Sequence, residues 1–189
     1  MITATALEGL PEVRAGDDLG ALIAGALSET EVVAEDVLVI AHKVVSKSEG
    51  ATRRLSAVTA EGRAQALAAE LGKDPRHVQV VLDQSREILR ASHGVLICVT
   101  HHGFVCANAG VDASNTHDDD TLILLPRDPD GSARAIRQAL RARLGVAPAV
   151  LITDSFGRAW RHGQVDVAIG CAGLAALTLL RPEAEDLFR

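Results

Sequence analysis

Gly94-Val95-Leu96-Ile97-Cys98-Val99-Thr100-His101-His102-Gly103-Phe104-Val105-Cys106-Ala107 is the stretch on which the fold class turns. Two apolar runs rich in β-branched residues flank a short turn that contains glycine, which predicts a β-hairpin. A hairpin makes sequential strands antiparallel neighbours. It therefore interrupts any regular alternation of parallel strands and crossover helices.

The segments around the hairpin supply both element types. Asp36-Val37-Leu38-Val39-Ile40-Ala41 is a short apolar run bounded by charge and reads as a buried strand, running directly into His42-Lys43-Val44-Val45-Ser46-Lys47-Ser48-Glu49-Gly50. Upstream, Asp17 can cap a helix reaching about Ser28, because Leu19, Leu22, Ile23 and Leu27 recur at three and four residues. Thr59 to Leu71 is a helical composition stopped by Gly72, and Asp74-Pro75 opens a second helix with Val78, Val81 and Leu82 on one face. Thr121 to Leu125 is a strand candidate. Asp128-Pro129-Asp130-Gly131 breaks the chain, and Ser132 can cap a helix that runs to Leu144 and stops at Gly145. Ala149 to Thr153 is another buried-strand pattern, with Asp154-Ser155 where that strand ends. The order predicts an α+β fold: a mixed sheet with a hairpin and flanking helices, as one domain over residues 1–189, without internal repeats or low-complexity linkers.

Composition narrows the function classes. The chain has 189 residues and is 48% hydrophobic, enough to bury a substantial core, yet only 2% aromatic with no tyrosine. Base stacking has almost no material, and a net charge of −6 leaves no basic stripe for a phosphate backbone, so nucleic acid is not an expected partner. Cys98, Cys106 and Cys171 are odd in number and widely spaced, which fits neither a disulfide framework nor a CxxC zinc site; buried free thiols are expected. The first residues show no signal-peptide pattern and no stretch is long enough to span a bilayer, so no membrane association is expected and the cytoplasm is the expected compartment.

Two carboxylates stand out because each follows an apolar segment that could hold its backbone. Asp112 lies in Ala109-Gly110-Val111-Asp112-Ala113-Ser114-Asn115, and Asp154 in Ile152-Thr153-Asp154-Ser155-Phe156-Gly157-Arg158. Hard divalent cations favour such oxygens, so Asp112, Asp154 and the Ser155 hydroxyl form a candidate magnesium or manganese set. From local sequence alone, Asp beside Ser or Asn is more often a turn former or helix cap. Asp118-Asp119-Asp120 reads as a solvated loop and stays outside the set. Lys43 and Lys47, four apart after a buried strand, could neutralise phosphates, although a surface role competes for Lys43 in particular. Neither GxxxxGK[ST] nor GxGxxG occurs. His101-His102 reads as an exposed turn, Cys106 has no evident base and Ser155 lacks a GxSxG elbow. Arg158, Trp160 and Arg161 could grip a multiply anionic substrate, or form an exposed loop with one anchoring ring.

Four ordered blocks, Gly9-Leu10-Pro11-Glu12-Val13, Lys43 to Gly50, Ala109 to Asn115 and Thr153 to Arg161, resemble the coenzyme F420-0:γ-glutamyl ligase family, as do Asp74-Pro75-Arg76 and Ser85 to Arg90. The resemblance runs from near the N-terminus to about Leu177. It implies GTP-driven amide formation between the carboxylate of a deazaflavin precursor, coenzyme F420-0, and the amine of L-glutamate, through an acyl phosphate. GDP and phosphate are released, and further γ-linked glutamates can follow. It also implies that Leu10, Pro11, Glu12, Val13, His42, Lys47 and Asn115 contact GTP, with His42 the least secure. Asp112, Asp154 and Ser155 would bind Mg2+ or Mn2+, with potassium as a further cation. No general base is implied. By the same resemblance the fold should have two lobes and form an intertwined homodimer. Family members continue past the position of Arg189, so the chain is expected to lack a C-terminal segment. Alternatives are therefore a nucleotide- or deazaflavin-binding module without turnover, or a fragment completed by a partner chain.

Overall fold

A computed structural model describes residues 2–114, 116, 118–157 and 163–176. Its elements in chain order are α1 (Leu19–Leu27), β1 (Val37–Ala41), α2 (His42–Ser48), β2 (Thr52–Arg54), α3 (Gly62–Leu71) and α4 (Pro75–Asp83). They continue with β3 (Ser85–Ser92), β4 (Val95–Thr100), β5 (Val105–Ala107), β6 (Thr121–Ile123), α5 (Pro129–Leu144), β7 (Ala149–Gly157) and β8 (Gln164–Ala172). The fold is α+β with a mixed sheet, as the hairpin predicts.

Among the described residues the strands form three small sheets. In the first, β7 is central, parallel to β1 and antiparallel to β8. The second is the expected hairpin β4–β5 extended by β3, and the third pairs β2 with β6. Apolar side chains collect in two clusters. One joins α1 and α5 to the first sheet through Ile23, Leu140, Val150 and Ile152. The other joins α3 and α4 to β4 and β6 through Ala64, Val78, Leu96 and Leu122. Helices α1 and α5 approach so closely that a Cβ on Gly20 would overlap the Cβ of Ala139.

Several boundaries differ from the expectations for physical reasons. The α1 cap is Asp18, whose side chain accepts from the Ala21 amide, while Asp17 instead accepts from the Arg14 amide. Helix α5 begins at Pro129, capped by Asp128, because a proline is pre-organised for the first helical position and Asp128 Oδ1 takes the Gly131 amide. The Ser132 hydroxyl bonds Glu49 instead. Strand β1 is not fully buried: it is an edge strand, and Val37 and Val39 are 46% and 58% exposed. Strand β7 runs on to Gly157, so Asp154 and Ser155 lie inside a strand and not beyond its end. Helix α2 and strands β2, β3 and β8 are absent from the sequence expectations. In β3 two register shifts break the alternation, and burial follows roughly every third residue instead of every second.

Candidate functional site

The site is organised by α2, which follows β1 without a loop. Because β1 and β7 are parallel with Ala41 opposite Thr153, the first residue of α2, His42, falls beside Asp154. His42 is buried, and its Nε2 lies 3.2 Å from Asp154 Oδ1. On the other ring nitrogen, Nδ1 faces the Ser46 hydroxyl at 3.4 Å. Asp154 Oδ1 also accepts from the Ser155 amide at 2.8 Å. Oδ2 has no hydrogen-bond partner among the described residues.

Asp112 reaches the same helix through Lys43. After β5 the chain turns through Asn108, Ala109 and Gly110, all with positive φ of 50°, 54° and 71°. Left-handed backbone in an alanine costs about 1 kcal/mol, so the surrounding packing must hold this turn. It sets Asp112 in a bridge with Ile123 of β6. There Lys43 Nζ lies 2.5 Å from Asp112 Oδ2 and 2.7 Å from Ser114 Oγ, and the Ser114 amide donates to Oδ1 at 2.7 Å. Burial pushes the Asp112 carboxyl up, but the Lys43 ammonium and the Ser114 donors outweigh it and hold the group below the usual carboxylate range. His77 on α4 feels the same carboxylate. Burial first, then Lys73, nevertheless lowers its pKa, and its Nε2 is buried with no hydrogen-bond partner among the described residues.

The cleft beside α2 has a volume of about 460 Å³, within the range of small-molecule sites. Leu10, Pro11, Glu12 and Val13 form one wall, Lys43, Val44 and Lys47 another, with Thr116 at its edge. Lys47 Nζ lies 2.6 Å from Glu12 Oε1, which ties the two walls together. One helix thus brings His42 to Asp154, Lys43 to Asp112, and Lys47 to the segment at residues 10–13.

The oxygen donors Asp112, Asp154 and Ser155 suit a hard divalent cation in chemistry. Most of their donor atoms are engaged. Asp112 holds Lys43, Asp154 holds His42, and the Ser155 hydroxyl donates to Asp166 Oδ1 at 2.6 Å. Among the described residues no three His, Cys, Asp or Glu side chains lie together as a ready ligand group. A cation would therefore take over from Lys43 and His42 as the partner of these carboxylates, with Asp154 Oδ2 the acceptor still open. Asn115, Arg158, Trp160 and Arg161 lie outside the described residues.

Sequence reading missed Asp166, Thr116 and His77. Asp166 accepts from both Thr153 and Ser155 across the β7–β8 pair, a contact visible only once β8 is recognised. Cys98, Cys106 and Cys171 form no disulfide among the described residues; the first two are buried and Cys171 is half-buried. No described helix is long and apolar enough to cross a membrane.

The sequence pattern of the family described as F420-0:Gamma-glutamyl ligase matches residues 9–188. The chain belongs to that family. Similar relatives are each named Coenzyme F420:L-glutamate ligase. The one from Methanothermobacter thermautotrophicus is 44% identical over 93% of this chain and 70% of its own length. That from Methanopyrus kandleri is 47% identical over 88% of this chain and 64% of its own, and that from Haloarcula marismortui 42% over 90% and 67%. The chain thus spans about two-thirds of the length of these family members.

Proposed function

We propose that the chain ligates L-glutamate to coenzyme F420-0 in an amide-forming reaction driven by GTP. The observation that carries this reading is the cleft between residues 10–13 and α2, which shares Lys43 with Asp112 and whose helix also reaches Asp154. Membership of the ligase family and the names of the relatives support the substrates.

A carboxylate is a poor electrophile. An oxygen of the acceptor carboxylate attacks the γ-phosphorus, the bond to the β-phosphate oxygen breaks, and GDP leaves with that electron pair. The glutamate amine then attacks the acyl carbon, phosphate departs, and the amine gives up a proton. Such chemistry depends mostly on positioning and charge. Lys47 would exchange Glu12 for polyphosphate oxygens, while Leu10, Pro11 and Val13 enclose the nucleotide and Lys43 adds a second cation at the wall. His42 would orient Asp154 across the 3.2 Å contact between its Nε2 and Asp154 Oδ1. Asn115 would add a nucleotide contact, and Arg158, Trp160 and Arg161 would receive the anionic acceptor. Asp112, Asp154 and Ser155 would hold Mg2+ or Mn2+, which supplies positive charge to phosphate oxygens when bound, with potassium as a further cation. A homodimer is part of the same proposal, supported by the exposed Val37 and Val39 on edge strand β1.

The test is mass spectrometry of coenzyme F420-0 incubated with the chain, L-glutamate, GTP and Mn2+. The expected result is a glutamylated product, with one GDP formed per amide and no product when any component is left out. Nucleotide binding without product would overturn the ligase reading.

A further inference from the structure

We propose that the cavity between the β4–β5 turn and strands β7 and β8 binds a planar aromatic ligand with an anionic substituent. Resting on the function proposed above, that ligand is the deazaflavin ring of the acceptor.

The cavity has a volume of about 660 Å³ and is lined by His102, Phe104, Arg127, Leu151, Cys171 and Leu174, among others. It is separate from the cleft at α2 and shares no lining residue with it. In a chain with three phenylalanines, one tryptophan and no tyrosine, a pair of stacked rings on a cavity wall is unusual. The rings of His102 and Phe104 have centroids 5.5 Å apart and planes 18° from parallel. His102 is exposed, yet its orientation is fixed. Its Nε2 lies 2.9 Å from the Pro126 carbonyl and 3.1 Å from that of Arg127, and carbonyls only accept, so Nε2 carries the hydrogen. A ring held before binding gives up little freedom when another ring stacks on it.

The same platform is tied to the candidate site. Phe104 meets Phe156 edge-on at 6.3 Å, and Phe156 follows Ser155 on β7. Leu151, on the cavity wall, precedes Asp154 on that strand by three residues, about 10 Å. Of the charged groups at the rim, Asp128 caps α5 through the Gly131 amide and Asp130 accepts from the Cys171 amide. Arg127 forms no ion pair among the described residues, which leaves it as the cation for an anionic substituent. A purely aliphatic ligand would use Leu151 and Leu174 but gain nothing from the stacked pair.

The test uses the full chain and coenzyme F420-0 as the probe, with affinity read by equilibrium dialysis and GMP titrated in parallel. His102→Ala should weaken F420-0 binding about tenfold, the scale of one stacking contact, and leave GMP affinity unchanged. Arg127→Gln should weaken it and flatten its dependence on salt. Phe104→Leu is a second variant; should it fail to fold, the exposed His102 and Arg127 still carry the test. Unchanged F420-0 affinity in His102→Ala and Arg127→Gln would overturn the assignment while leaving the ligase reading intact. Equal losses for GMP would assign the cavity to the nucleotide base and overturn it as well. No F420-0 binding by the unaltered chain, with GMP bound normally, would sink both the cavity assignment and the acceptor.

Discussion

Asp74 and Asp112 are both carboxylates held by a cation, and they differ in how far along the chain their partners lie. Asp74 is engaged by Arg76, two residues on. The Arg76 guanidinium at 2.6 Å and then its amide at 2.8 Å outweigh burial and lower the Asp74 pKa to about 2. Everything it does is local: it caps α4. Asp112 meets Lys43 on α2, and its neighbour Ser114 lies 71 residues from that lysine. That pairing draws β6, the turn after β5 and α2 around one cleft. The more strongly perturbed carboxylate is the structural one, so a shifted pKa does not identify the site here; convergence of distant segments does.

The comparison breaks most visibly under charge removal. Asp112→Asn and Asp154→Asn should each abolish the strengthening of GTP binding by Mn2+, a loss of up to about a hundredfold, the scale of one missing charged ligand. Circular dichroism should remain unchanged. Asp74→Asn should leave that affinity as it was.

Glycine substitutions sharpen the same contrast through the backbone. At Gly110, φ is 71° and an added methyl would come within 2.7 Å of Leu125 Cγ, so Gly110→Ala should destabilise by about 3 kcal/mol, combining backbone strain with overpacking. At Gly72, φ is 65° with nothing within 4 Å, and Gly72→Ala should cost only about 1 kcal/mol. Urea denaturation of both variants measures the difference, and equal losses would show that the turn before Asp112 is not tightly held.

Lys47→Met should weaken GTP about tenfold and GMP hardly at all, because an ammonium acts on the polyphosphate and not on the base. Equal losses in a calorimetric comparison would place Lys47 elsewhere. The smallest effect belongs to the local carboxylate. Asp74→Ala should cost about 1 kcal/mol through the lost cap. Its folded pKa is lowered from 3.8 to about 2, so its contribution is present above pH 3.8 and disappears as pH falls through about 2. Melting curves across that interval should show the variant and the unaltered protein converging at the acid end.

Legibility followed the same division between local and distant. Asp74-Pro75, Gly72, Gly145 and the glycine-containing hairpin turn act within a few residues, and the structure places α3, α4, the end of α5 and β4–β5 accordingly. Strand β3 was hidden because its bulges spoil the period of two, and β8 because its pattern made sense only against β7. Asp128 displaced Ser132 as the α5 cap since both are competent and only the folded chain sends Ser132 to Glu49. In the site, residues 10–13 and Lys47 were singled out by resemblance and lie on one cleft. The partnership of Asp112 with Lys43, and the support of Ser155 by Asp166, depend on strand pairings that no local pattern encodes.

In the proposed function, α2 joins the cleft and the two carboxylates into one nucleotide and metal site. Titration of GTP and GMP into the unaltered chain and Asp112→Asn, each with and without Mn2+, tests it most directly. Mn2+ should strengthen GTP binding only in the unaltered chain, while GMP binds both proteins alike. The same Mn2+-dependent gain in Asp112→Asn would contradict it.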